Sequence, residues 1–274
     1  MALKKTQLLI LRYFALIIVA VLIFTPIYAA ILGSLTQFNH FNNQEIFPID
    51  FHWQNYIDVW KRVPLLDHMK ASFIYSISVS CIGVLLSTFA AYAISRYQFT
   101  GKGLYVYFLL ITQVIPVIII IIPLFQFINT IGLFDTYLAV ILVVTAITLP
   151  FPTFLLKGYF DKIPLEIEEA GLMDGCNRLG LIFKIVFPMA APGILTAFAL
   201  TFFTAWQQFL IPLLITSSPD KVPVVVGIFR LQGDYVVHWE LVMAATIIAS
   251  IPPIIVYMLA QKYLVNGLFA GGIK

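Results

Sequence analysis

Residues 168–188 read EEAGLMDGCNRLGLIFKIVFP. The stretch carries Glu168, Glu169, Asp174, Arg178 and Lys184 and ends at Pro188, while both flanks are long and oily. It cannot be a membrane span. Together with Glu166, its charges would cost on the order of 15 kcal/mol or more at mid-bilayer, at roughly +2.5 to +3.5 kcal/mol each. The stretch is therefore a polar island outside the hydrocarbon, and the rest of the chain is placed around it.

The whole chain supports that placement. It has 274 residues, 61% hydrophobic and 11% charged, with mean hydropathy +0.97. A soluble domain carries about 25% charged residues, so the class is an all-α integral membrane protein. The net charge of +3 is small and sits at membrane edges, which points to lipid and not to nucleic acid. Cys81 and Cys176 fall in separate regions, so a disulfide is not expected. The histidines (His40, His52, His68, His238) are scattered without metal-ligand spacing.

Apolar runs of about 20 residues mark spans. Six are expected, at 12–34, 71–95, 104–128, 135–156, 190–216 and 241–263, in one permease-type domain over 1–274. Loops 35–70 and 217–240 lie on one side; loop 157–189 and the tail 264–274 lie on the other. The first run exceeds a usual signal-peptide core and no clear small-residue cleavage site follows it, so it reads as an uncleaved helix. With the N-terminus cytoplasmic, Lys4, Lys5, Arg12, Arg96, Lys102, Lys157, Lys162, Arg178, Lys184, Lys262 and Lys274 fall inside, eleven in all. Lys61, Arg62, Lys70, Lys221 and Arg230, five, fall outside. That asymmetry puts both termini and the polar island in the cytoplasm.

The span interiors hold no Asp or Glu. Proton- and ion-coupled carriers usually keep an ionisable group there, and acidic pore rings would need one. Energy for uphill movement is then expected from elsewhere. Neutral polar residues are present instead: Gln113 and Gln126 beside Pro116 and Pro123, and Thr201, Thr204, Trp206, Gln207 and Gln208 beside Pro212. Interhelical hydrogen bonding accounts for any one of them. Gln113, Trp206, Gln207 and Gln208 are also candidates for a solute path suited to a neutral, hydroxyl-rich ligand.

Within the island, Pro164 suits a first helical turn, and Glu166, Glu168 and Glu169 suit the positive end of a helix dipole. Gly175 suits a C-terminal stop. Ala170 and Gly171 allow a close approach. Asn177 is a good N-cap for a second helix, in which Leu179, Ile182, Phe183 and Val186 form an apolar stripe and Pro188 closes the run. The expected object is a cytoplasmic helix–turn–helix. Its acidic first helix would be repelled by anionic headgroups and is suited to a protein partner.

The island resembles the cytoplasmic EAA loop of ABC-importer permeases, E-A-A-x3-G-x9-I-x-L-P. Glu169-Ala170-Gly171, Gly175, Ile185 and Phe187-Pro188 occupy that frame, with Gly171 in place of the second Ala and Phe187 in place of Leu. Glu168 precedes the motif and Asp174 lies within it. Further segments resemble the carbohydrate-importer branch with its MalG-type subunits: Phe51 to Tyr56, Ala90-Ala91-Tyr92-Ala93 with Gly101-Lys102, Pro123 to Tyr137, Leu149 to Pro164, and the glycine-rich Gly267 to Gly272. Trp206-Gln207-Gln208 stands where the family often has W-N-[DE].

The resemblance implies a type I ABC importer permease fold in a bacterial or archaeal plasma (inner) membrane. It implies a second homologous permease subunit, two ATP-binding subunits that use ATP and Mg, and an extracellular solute-binding protein. It implies that Glu168, Glu169, Ala170, Gly171, Asp174, Gly175, Ile185 and Pro188 couple to the ATPases, and that Gly267, Gly271, Gly272 and Lys274 can reach them. The chain has no G-x-x-x-x-G-K-[ST] loop and no nucleophile–base motif, so it is expected to bind no cofactor or metal and to catalyse no reaction. The expected function is import of a sugar or oligosaccharide. An ABC permease for another polar solute, such as a polyol or glycerol phosphodiester, and an ion-coupled carrier are the alternatives.

Overall fold

The computed structural model describes residues 2–36, 51–232 and 237–272. Among these, the elements run α1 (Ala2–Ser34), α2 (Asn55–Arg62), α3 (Leu65–Arg96), α4 (Lys102–Val114), α5 (Val117–Thr130), α6 (Tyr137–Thr148), α7 (Pro150–Phe160) and α8 (Leu165–Met173). After them come α9 (Arg178–Leu181), a π turn (Ile182–Val186), α10 (Phe187–Trp206), α11 (Leu210–Ile215), a 3-10 turn (Pro219–Lys221), α12 (Val224–Arg230) and α13 (Trp239–Gly272).

Among the described residues, four stretches are long and apolar enough to cross a bilayer: Leu11–Ser34, Leu65–Arg96, Arg178–Trp206 and Trp239–Tyr263. Two more crossings arise if each bent pair counts as one. The α4–α5 pair bends by 101° and the α6–α7 pair by 49°. The expected spans 104–128 and 135–156 are thus broken helices. Pro116 has no N–H, and the residue before a proline is pushed out of the helical region; Ile115 sits at ψ 119°. Leu149 before Pro150 stays helical at ψ −36°, and the second bend is correspondingly smaller.

The expected span 190–216 also differs. The helix starts at Arg178, runs through Pro188 and ends at Trp206; Leu210–Ile215 is a separate turn of helix. Pro188 was expected to close the run and does not. Its ring would clash with the carbonyl four residues earlier. The π turn directly before it opens the helix, with the Phe187 N–H bonding to the Ile182 carbonyl. The second helix of the island is therefore the foot of a span. Its buried stripe is Leu181, Ile182 and Val186, while Leu179 is 64% and Phe183 53% exposed. The extra residue in the turn shifts the phase expected from a 3.6-residue repeat.

The chain divides into two compact units. In the first (Met1–Leu65 with Gly227–Ser250), the Asn55 amide donates to the carbonyls of Ser34 and Thr36 at 2.9 and 2.8 Å. Tyr56 Oη lies 2.7 Å from Ser34 Oγ. The Asn-Tyr pair thus pins the end of α1 to α2.

The second unit (Leu66–Val226 with Ile251–Lys274) holds the core. One cluster gathers Tyr75, Val79, Val140, Val144, Ile211 and Ile215; another gathers Val84, Tyr92, Leu156, Phe160, Val186 and Ala197. Close packing of α7 on α10 depends on Gly193, where an added Cβ would lie 2.6 Å from the Tyr159 ring. At the turn before α6, Asp135 accepts from the backbone N–H groups of Ser217 (2.9 Å) and Ser218 (3.1 Å), from Ser218 Oγ, and from Lys221 Nζ (3.3 Å).

Candidate functional site

The polar island folds as the sequence dictates at its hinge. Gly175 takes φ +87°, cheap only for glycine. Its N–H bonds to the Leu172 carbonyl and that of Cys176 to the Gly171 carbonyl, a Schellman stop for α8. Asn177 Oδ1 then accepts the Gly180 N–H at 2.7 Å and caps the next helix. Gly171 is buried because the returning chain lies on it: an added Cβ would stand 2.6 Å from Ile185 Cδ1 and 2.9 Å from Leu181 Cδ1. The small residue admits the chain's own side chains there.

The two adjacent glutamates divide. Glu168 is 5% exposed. Its Oε1 accepts from Arg96 Nε at 2.6 Å and its Oε2 from Tyr92 Oη at 2.8 Å. Arg96 Nη2 donates onward to the Ile163 carbonyl at 2.8 Å. A buried carboxylate is tolerable only when its charge and lone pairs are met in this way. Next to it, Asp161 accepts from Ser95 Oγ at 2.6 Å and from Lys157 Nζ at 2.5 Å. Burial works against the Asp161 charge, but the bonds from Lys157 and Ser95 outweigh it and hold the carboxyl below its usual range. Arg178 closes the far side, 5.7 Å above the Tyr97 ring. The last turn of α3 thereby grips α8 and the segment leading into it.

Glu169, Ala170 and Asp174 are exposed, as is Pro188; Ile185 is half-buried. The free face of α8 presents Glu166 and Glu169 beside Leu165 (55% exposed), Leu172 (46%) and Met173 (83%). That mixture of charge and large apolar groups fits a protein groove better than water. Arg96 was legible from sequence only as a charge at a span end, and Tyr92 only as part of an Ala-Tyr-Ala segment. No spacing rule links either to Glu168.

The path candidates separate. A cavity of about 310 Å³ opens where the two broken pairs meet α10. Gln113 and Gln208 line it, along with Thr112, Thr148, Thr201 and Thr204. Trp206 does not: it is 5% exposed, edge-on to Phe73 and stacked on Phe202, and so belongs to the core. Gln207 is exposed and off the wall. Gly267, Gly271 and Gly272 fall within the backbone span of α13; Lys274 lies outside the described residues.

Residues 83–269 match the family described as binding-protein-dependent transport system inner membrane component. The inner membrane ABC transporter permease protein YcjP of Escherichia coli is 35% identical over 233 residues, 84% of this chain and 82% of its own. The trehalose/maltose transport system permease protein MalG of Thermococcus litoralis is 33% identical over 269 residues, 97% of this chain and 96% of its own. In fold, the chain superimposes with TM-score 0.80 on a chain of a bacterial ABC transporter involved in the import of the acidic polysaccharide alginate. That match covers 95% of this chain and 97% of the other at 22% identity.

Proposed function

We propose, since the chain belongs to the family of binding-protein-dependent transport system inner membrane components, that it is the permease subunit of an ATP-driven importer of a sugar or oligosaccharide. The observation that carries the reading is the division of Glu168 from Glu169. One is locked into the chain's own span, and the other is offered on an exposed, partly apolar helix face. A helix built this way transmits a push from a partner and resists being peeled off.

In this reading a second permease subunit pairs with the chain, and two ATP-binding subunits each receive a helix like α8. ATP and Mg act in those subunits. An extracellular binding protein delivers the solute. Both termini and α8 face the cytoplasm, in keeping with the eleven-to-five split of Lys and Arg, and the tail from Gly267 to Lys274 reaches toward the ATPases. The sugar assignment draws on the trehalose/maltose relative.

The test is ATP-driven uptake of labelled trehalose, maltose and maltotriose by the complex in proteoliposomes with its binding protein. Uptake should vanish in Glu169→Lys with the complex still assembled. Uptake by the isolated chain on an ion gradient, without ATP, would overturn the reading.

A further inference from the structure

The short helix α2, which follows the first span, has three distinct faces. It is tied to the end of α1: the His52 N–H donates to the Leu35 carbonyl at 2.8 Å, and the Asn55 amide donates to the Ser34 and Thr36 carbonyls. At about 100° per residue, Asn55 and Val59 fall on one side, and both are buried. On the adjoining arc stand Trp53, in the turn that leads in, Ile57 and Trp60, which are 66%, 55% and 44% exposed. Gln54, Asp58, Lys61 and Arg62 fill the opposite arc. Within that polar arc the Asp58 charge is met: Lys61 Nζ donates to it at 2.9 Å and Gln54 Nε2 at 3.2 Å.

The surroundings of the exposed apolar arc say what covers it. α1 ends where α2 is pinned, and the most apolar window of that span has none of its residues buried within the chain. The chain has four tryptophans. Trp206 belongs to the core, but Trp53 and Trp60 stand beside the end of α1, and Trp239, 44% exposed, opens the span in α13. These two span ends belong to the same compact unit. Exposed tryptophan at span ends is the mark of the boundary between lipid and water, where an amphipathic ring sits at headgroup level.

We propose that α2 is an interfacial anchor whose partner is a phospholipid surface, with Trp53, Ile57 and Trp60 at the acyl–headgroup boundary and Lys61 and Arg62 reaching the phosphates. A helix with an apolar arc opposed to a charged one lies in the plane of that boundary. Long basic side chains lay their stems along apolar surface and carry the charge to the headgroups. Asp58, which anionic headgroups would repel, is already satisfied by Lys61 and Gln54. A soluble protein would come from the water side, where the polar arc faces it, while the apolar arc turns toward the bilayer. Because α2 is hydrogen-bonded to the end of α1, anchoring it fixes the depth of that span. The proposal needs only that α1 crosses the membrane; which leaflet is bound follows from the orientation in the import reading above.

The test is electron paramagnetic resonance on the assembled complex, freed of its native cysteines, in nanodiscs of phosphatidylethanolamine and phosphatidylglycerol. A nitroxide is placed at Ile57→Cys or at Asp58→Cys, and its collisions with oxygen, which partitions into lipid, and with a water-soluble nickel chelate are measured. The ratio of oxygen to nickel accessibility should be severalfold higher at 57 than at 58. With Trp53→Ala and Trp60→Ala added, the label at 57 should become severalfold more accessible to nickel. Equal ratios at the two positions would place the apolar arc in water and overturn the anchor. A label at 57 shielded from both reagents would mean that a protein covers the arc, which also overturns it, as would a label indifferent to the loss of both tryptophans. Uptake is not read in this experiment, so a failure of the import reading leaves its outcome unchanged.

Discussion

Arg96 Nε stands 2.6 Å from Glu168 Oε1, and both side chains are more than nine-tenths buried. The pair joins the last turn of α3 to α8 across 72 residues of sequence. Removing one partner leaves a buried charge alone, which costs about 3–5 kcal/mol. Arg96→Ala and Glu168→Ala should therefore each lower the unfolding midpoint of the complex in detergent sharply. The paired substitution Arg96→Met with Glu168→Leu should recover most of the loss. Additive losses in the pair would contradict this.

Glu169 differs from its neighbour because it faces outward. Glu169→Lys should leave the unfolding midpoint within the scatter of surface changes, about ±0.5 kcal/mol, while ATP-coupled uptake is lost. Glu168→Lys should fail earlier, in yield of folded complex. Equal behaviour of the two variants in both assays would remove the division between a structural and a docking glutamate.

Gly171 lies under Ile185 and Leu181. Gly171→Ala should destabilise by about 1–3 kcal/mol through overpacking. Ile185→Val removes the Cδ1 atom that stands 2.6 Å from the new Cβ, so the double variant should be more stable than Gly171→Ala alone. At Gly175, φ +87° makes Gly175→Val worse than Gly175→Asn, since asparagine tolerates the left-handed region. Thermal unfolding of the assembled complex orders all four.

Asp135 provides a pH signature. Burial opposes its charge, but hydrogen bonds from Ser218, Ser217 and Lys221 hold its carboxyl well below the usual range. A depressed folded value means its contribution is complete above the unfolded value near 4 and is lost as pH falls through the folded one. The midpoint difference between the unsubstituted complex and Asp135→Asn should thus be constant from about pH 5 to 8 and shrink in acid. Asparagine accepts the φ of 56° at this site, so backbone strain does not confuse the comparison. A difference that widens in acid would contradict the assignment.

The helical membrane class, the polar island, the glycine stop at Gly175 and the cap at Asn177 were legible in the amino-acid order. Each depends on local or summed properties: apolar length, charge cost, a left-handed backbone position, a side chain within three residues of its partner. Tertiary structure decided the rest. Only packing separates Glu168 from Glu169, because which glutamate meets Arg96 depends on how α8 lies against α3. Only packing withdraws Trp206 between Phe73 and Phe202 while leaving Gln113 and Gln208 on the cavity wall. Proline in the sequence marked where helices are strained; whether each one breaks, bends or is absorbed, as at Pro116, Pro150 and Pro188, was settled by the neighbouring backbone. Spacing along a chain fixes what a residue can do within a turn or two, and contacts across many tens of residues are fixed only once the helices have packed.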